Sequence, residues 1–275
     1  MMVMKQYSVL MTVYAGETEE NLREAMESMF KQSVVTNDFV LVCDGTLNDG
    51  LEKVISEYTE KYMEILKIIR IPKNPNWSDV LNIGLEKCEN EYVARMDSDD
   101  ISAVDRCEKQ LYFLENNPKV DCVSTWLGEF AVDCNKIDHV RDLPETHEEI
   151  IEFAKKRCPL NHATSMYKKI AIIESGGYVY FPAFEDYHLW MRMISNDKRL
   201  HNLPEVLYYM RAGENLYTRR AGYSYLKKMV AFRKWMLKNK MVGVFTTYSM
   251  ILINGTAIML PNKLRGFVYK TFLRK

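Results

Sequence analysis

At 275 residues and 47% hydrophobic, the chain can bury a sizeable core and is too apolar for a disordered protein, which leaves the globular α/β class. Its 37 basic and 37 acidic side chains cancel overall, yet residues 205–275 hold fourteen Lys and Arg against two acids, while residues 1–204 hold 23 against 35. An acidic body with a basic tail suggests two jobs, and six cysteines with no CxxC pair and no matching His spacing argue against zinc or a disulfide framework and for a reducing cytoplasm.

The opening MMVMKQYSVLMTVY has one lysine and runs straight into a strand pattern, so no signal peptide is expected there. YSVLMTVY (7–14) is continuously apolar, as a strand buried on both faces should be. Leu22, Ala25, Met26, Met29 and Phe30 then repeat on one helix face. DFVLVCDG (38–45) predicts a second strand, followed by a helix carrying Leu51, Val54, Ile55, Tyr58 and Tyr62. A third strand (65–71), a third helix (77–88) and a fourth strand, YVARM (92–96), continue the alternation. A helix displaying Val104, Cys107, Leu111 and Leu114 and a strand at 120–125 follow. This rhythm requires crossover connections, hence a largely parallel sheet with helices on both faces and a ligand beyond the strands' carboxyl ends. Tyr14, Asp44 and Asp97 each fall at such an end.

Past residue 140 the pattern loosens: HEEIIEFAKK reads as helix, HATSMY as a short strand, ESGGY as a turn. EDYHLWMRMI (185–194) is an amphipathic helix with Leu189, Trp190, Met193 and Ile194 inward, and its Glu185 and Asp186 would also serve simply as a favourable helix start. His188 falls on its polar side. Three carboxylates in MDSDD (Asp97, Asp99, Asp100) repel one another unless a cation, strong donors or water compensate them; a solvated acidic turn is the plain alternative.

Taken in order, SVLMTVY, VCDG, LNIGL, ARMDSDDI with Arg106 and Gln110 after it, and EDYHLW resemble a family 2 glycosyltransferase of the GT-A fold, of the kind that builds bacterial surface polysaccharides. The resemblance spans about residues 7–211, and its two acidic elements at this separation are a more specific signal than either alone. It implies a GT-A catalytic domain over 1–211, nucleotide-binding to about 125 and acceptor-binding over 126–211. It also implies a DxD metal site for Mn²⁺ or Mg²⁺, with Asp99 as direct ligand and Asp97 on the ribose or a metal-bound water. Hard carboxylate oxygens suit such an ion, whose charge would offset that building on a departing diphosphate. By the same resemblance Asp44 would accept from the nucleotide base, favouring UDP because uracil presents an imide N–H. Thr12 and Tyr14 would line that pocket, and Asp186 would be the base of an inverting transfer. With no basic side chain at positions 77 and 79, Arg106 or a residue of the tail would reach the phosphates. Glu185 and His162 would face the acceptor. Each has a structural alternative: a strand-end turn for Asp44, a core tyrosine for Tyr14, a structural histidine for His162. Trp77 and Asp79 stand where relatives often carry small or basic residues, and the lack of a QxxRW motif argues for one hexose per encounter, not processive synthesis.

The tail, residues 212–275, carries no motif of the family. No charge occurs between Lys240 and Lys263, a stretch near the ~20 residues a bilayer span needs but interrupted by Asn254, Gly255, Thr256 and Pro261. Helices lying at the inner leaflet of a membrane beside a lipid-linked acceptor are the favoured reading, a helical subdomain packed on the body the alternative. The expected location is cytoplasmic, peripheral at that membrane face. Nothing resembles a nucleic-acid-reading module. The rival activities are a nucleotidyltransferase, which should show a basic Gly-rich loop where TVYAGETEEN has no cation, and a non-catalytic membrane scaffold.

Overall fold

The computed structural model describes residues 4–74, 76–212 and 222–259. Four parallel strands form its first half: β1 (Tyr7–Tyr14), β2 (Asp38–Asp44), β3 (Leu66–Ile71) and β4 (Tyr92–Asp97), joined through α1 (Glu19–Phe30), α2 (Asp49–Lys61) and α3 (Trp77–Lys87). Side-chain oxygens of Thr18, Asn48 and Asn76 accept from first-turn amides and set where the three helices start.

β1, β2 and β4 are buried on both faces, and the edge strand β3 only in part. Val9, Met11 and Val13 of β1 join one core with α1 and α2, while Leu10 joins Val42 and α3's Val80 and Leu81 on the other side. Gly84, the glycine of LNIGL, is where α3 meets the sheet. A Cβ there would stand 2.4 Å from Leu10 Cδ1 and 2.7 Å from Val42 Cγ2, so a larger residue would push the helix off the strands.

The second half departs from a simple parallel continuation. It comprises β5 (Ile101–Ser102), α4 (Arg106–Asn116), β6 (Cys122–Phe130), β7 (His139–Arg141), α5 (His147–Ala154), β8 (Met166–Lys168), α6 (Lys169–Glu174), α7 (Glu185–Ser195) and β9 (Leu200–Arg211). Among the described residues the sheet runs β3-β2-β1-β4-β8-β6-β9-β5, with β7 on β6. The short β8 lies antiparallel between β4 and β6, so the strand expected at 120–125 is displaced by one place. The strand expected at 162–167 divides into a 3₁₀ turn, His162–Thr164, and β8. Val104 is exposed ahead of α4 rather than on its buried stripe, because the turn after the acidic cluster holds it outward.

Two helices close the described chain, α8 (Gly222–Lys238) and α9 (Val244–Met259). Phe232 and Met236 of α8 pack on Tyr187 and Met191 of α7, and buried Arg233 donates to the carbonyls of Lys155 and Lys156. His188, expected on a polar face, is buried for this reason: Trp235 of α8 covers it. Burial and then Arg192 push its pKa down to about 4. Among the described residues no helix is long and apolar enough to cross a membrane.

Candidate active site

Register brings the first polar groups together. Thr12 on β1 pairs with Asp97 on β4, and Tyr14 pairs with Asp44 on β2, so all four stand at one sheet edge. Thr12 is buried, and its hydroxyl has no protein partner among the described residues. Tyr14 is 50% exposed. Asp44 Oδ1 accepts the Asn74 N–H at 2.7 Å, which ties down the loop before α3; its second oxygen has capacity for a further donor.

Oxygens of Asp97, Asp99 and Asp100 all lie within 4.8 Å of one another. Asp97 and Asp99 are half-buried, Asp100 is buried, and Asp100 Oδ1 accepts the Arg211 N–H of β9 at 2.8 Å. Burial, then the neighbouring charges of Asp97 and Glu17, push Asp99 up to about 6, and burial with Asp99 and Asp97 pushes Asp100 well above the ordinary carboxylate range. The cluster therefore holds more negative charge than its protein partners neutralise. That excess, presented by hard oxygens at the edge of a cleft, fits a divalent ion such as Mg²⁺ or Mn²⁺.

The compensating cation inside the protein is Arg95, which sequence reasoning missed. It is 0% exposed, and its guanidinium meets Asp97 Oδ1 at 2.5 Å, with further bonds to the carbonyls of Leu10 and Met96. Trp77 lies over it at 5.8 Å, so the aromatic at this unusual loop position packs on a buried charge. The signal was present in YVARMD: a lone arginine in an apolar strand, two residues before an aspartate, must share that aspartate's face.

Arg106 corrects the expectation of a phosphate contact. It is fully buried, donates to the Arg95 carbonyl at 2.9 Å and lies over the Tyr208 ring, because α4 packs beneath the end of β4 instead of facing the cleft. Its position supports the strand that carries the acids. Glu17, also missed, accepts from Ser98 at 3.4 Å and adds to the acidic edge where a nucleotidyltransferase would need a cation.

The acceptor-side residues come from distant segments. Glu185 and Asp186 open α7 after the N-cap Phe184, which follows Ala183 with φ 68°, a left-handed conformation that costs a non-glycine residue energy and turns the chain into the helix. Asp186 Oδ1 accepts the Tyr187 N–H at 2.7 Å and Oδ2 accepts from the Cys158 thiol at 3.6 Å. Burial, chiefly, raises the pKa of Glu185, with Asp186 adding to it. His162 Nε2 meets the Tyr178 hydroxyl at 3.1 Å, which continues to Tyr167 at 3.0 Å. Burial and then Arg95 push His162 down to about 3, so it is a neutral imidazole. Tyr178 is itself pinned by Asn82 of LNIGL through two 2.8 Å hydrogen bonds.

A cavity of about 260 Å³ joins the two sets: Asp97 and Trp77 line one side, His162, Glu185 and Asp186 the other. Thr12, Tyr14, Asp44 and Asp99 lie outside its lining, along the sheet edge. A second cavity of about 520 Å³ opens beside Asp44, between Gly45, Thr46, Glu52, Arg70 and Lys73; Arg70 there is paired with Glu52, and Lys73 is a cation that the reading of the sequence had not singled out.

Residues 8–174 match the model of Glycosyl transferase family 2. Over 98% of this chain and all of the relative, the sequence is 36% identical to an uncharacterized glycosyltransferase of Haemophilus influenzae. It is 33% identical to the amylovoran biosynthesis glycosyltransferase AmsE of Erwinia amylovora, over 96% of this chain and 98% of that one. It is 29% identical to the Escherichia coli UDP-Gal:alpha-D-GlcNAc-diphosphoundecaprenol beta-1,3-galactosyltransferase, over 98% and 97%. Among solved structures, the mannosyltransferase PcManGT of Pyrobaculum calidifontis, in complex with GDP-Man and Mn²⁺, superposes with a TM-score of 0.64 at 15% identity, over 96% of this chain and 72% of that one. TarS 1–349 of S. aureus in complex with UDP-GlcNAc gives 0.62 at 18%, over 98% and 71%. At these identities the superpositions establish the fold, GT-A, and nothing finer.

Proposed function

The chain belongs to glycosyl transferase family 2, and from that premise we propose that it moves a single hexose, with inversion, from a UDP-sugar to a saccharide carried on a lipid diphosphate in bacterial polysaccharide synthesis. One observation carries this reading: Asp97, a carboxylate that would attend the donor, borders the same cavity as Glu185 and Asp186, which would attend the acceptor. A non-catalytic scaffold has no use for that arrangement, and family membership sets the nucleotidyltransferase aside.

In this reading Asp186 takes the proton from the acceptor hydroxyl as its oxygen bonds to the anomeric carbon. The bond from that carbon to the diphosphate breaks on the opposite face, which inverts the centre. Glu185 and neutral His162 orient acceptor hydroxyls. Asp44 accepts from the uracil imide, with Thr12 and Tyr14 beside the nucleoside. Arg95 holds the Asp97 carboxylate in place at the cleft. Asp99 and Asp97 would hold a divalent ion, Mn²⁺ or Mg²⁺, whose charge stabilises the leaving diphosphate when bound. The relative that acts on a diphosphoundecaprenol acceptor supports a working position at the cytoplasmic face of a membrane, with the tail as the contact.

A donor screen tests the proposal: purified chain, Mn²⁺, a panel of UDP- and GDP-hexoses and a GlcNAc-diphospho-lipid acceptor, read by released nucleotide diphosphate. Acceptor-dependent release from a UDP-hexose is expected. Release only from a GDP-sugar would overturn the donor assignment.

A further inference from the structure

We propose that α9 lies along a membrane surface containing anionic lipid and orients the active site toward it; this deepens the reading of a lipid-borne acceptor and rests on it for its meaning. The helix is uncharged over all sixteen residues. At 100° per residue, Val244, Tyr248, Leu252 and Phe245 fall within an arc of about 100°, with Ile253 at its margin. All five are exposed, Phe245 to 86%. The other side is used: Thr247, Ala257 and Ile258, which fall there, are buried. An apolar face of this kind on an otherwise folded body marks a contact surface.

Charge decides what meets it. Residues 222–259 contain six Lys and Arg and no acid, and Lys227, Lys228, Lys234, Lys238 and Lys240 are all exposed. A second copy would bring the same positive set against itself, whereas anionic head groups attract it. Length and composition decide how it meets it. Among the described residues no helix is long and apolar enough to cross a membrane, and α9 carries Thr246, Thr247, Asn254 and Thr256 among its apolar residues, so the proposal lays it in the interface.

The attachment also sets orientation. Phe232 of α8 packs on Phe184 and Tyr187, the residues on either side of Glu185 and Asp186, and Trp235 packs on His188. A bilayer held by α9 therefore stands in a fixed relation to the acceptor-side carboxylates.

The test is flotation of the full chain with vesicles of phosphatidylcholine alone or mixed with phosphatidylglycerol. Binding to the anionic vesicles, weakened by salt, is expected. Phe245→Ser with Leu252→Ser should reduce it by at least ~10-fold, since both apolar side chains leave the bilayer. Lys234→Glu with Lys238→Glu, on the exposed face of α8, should reduce it and flatten its salt dependence, and gives a second route if the first pair misfolds. UDP binding with Mn²⁺, followed by calorimetry on the same samples, should be unchanged in both pairs; its absence from the wild type would count against the donor reading while flotation still judged the surface. Equal flotation of wild type and both pairs would overturn the proposal. So would light scattering that shows a wild-type dimer split by Phe245→Ser with Leu252→Ser, because the face would then belong to a second copy.

Discussion

The donor and acceptor sides of the site are built differently. On the donor side, Thr12, Tyr14, Asp44 and Asp97 are strand-end residues whose places follow from backbone register, and Asp97 is gripped from below by a fully buried arginine. On the acceptor side, Glu185 and Asp186 begin a helix after a left-handed residue, and Asp186 accepts from a weak thiol donor and a local amide. A rigid grip suits a group that must hold charge in one place, and a looser setting suits a carboxylate that must gain and lose a proton.

The largest expected effect that would break this contrast lies on the acceptor side. Asp186→Asn should lower transfer by about 10³-fold, within the range of lost general-base catalysis, while calorimetry with UDP and Mn²⁺ finds donor binding unchanged. Retained activity would remove Asp186 from its role.

On the donor side, Arg95→Met should act on folding first. It leaves a half-buried carboxylate pair uncompensated, and a loss of about 3 kcal/mol is expected in urea unfolding, with weaker UDP and Mn²⁺ binding. A variant as stable as wild type would mean that the Arg95–Asp97 pair is not a structural grip.

Next comes pH. Asp99 is pushed from its ordinary 3.8 up to about 6, so between those values the metal-free folded chain binds more protons than the unfolded one. Stability from this group is present below about pH 4 and is lost as pH rises through about 6. Mn²⁺ should therefore raise the melting temperature more at pH 7.5 than at pH 5. Asp99→Asn should stabilise the metal-free protein at pH 7.5 by about 1–2 kcal/mol and abolish the response to metal. An unaltered metal response in this variant would exclude Asp99 as a ligand.

The smallest effect sharpens the contrast. Cys158→Ala removes only a weak sulfur donor to Asp186, and a change in kcat of less than ~10-fold is expected, because a thiol hydrogen bond is worth little. A loss comparable to that of Asp186→Asn would show that the acceptor carboxylate is held as firmly as Asp97.

The donor half was readable because parallel strands buried on both faces leave a continuous apolar signature, and polar residues that end such runs converge by topology alone. Arg106 was misplaced for a related reason: its sequence distance from Asp97 is short, but α4 turns it under the sheet, where the Arg95 carbonyl and the Tyr208 ring hold its guanidinium. His188 was misread because helical periodicity locates a face without revealing that another helix, α8, covers it.

Order and local chemistry in the chain were enough to determine the alternating first half, the acidic cluster after β4, the carboxylate pair opening α7 and the charge division between body and tail. Only the tertiary structure decided that Asp97 and Asp186 border one cavity, that Arg95 rather than Arg106 faces the acids, and that α8 is anchored to the body while α9 exposes an apolar face. The physical reason is range: strands and helices answer to neighbours a few residues away, whereas a cavity wall and a buried ion pair are made by segments that meet only when the sheet closes and its helices pack.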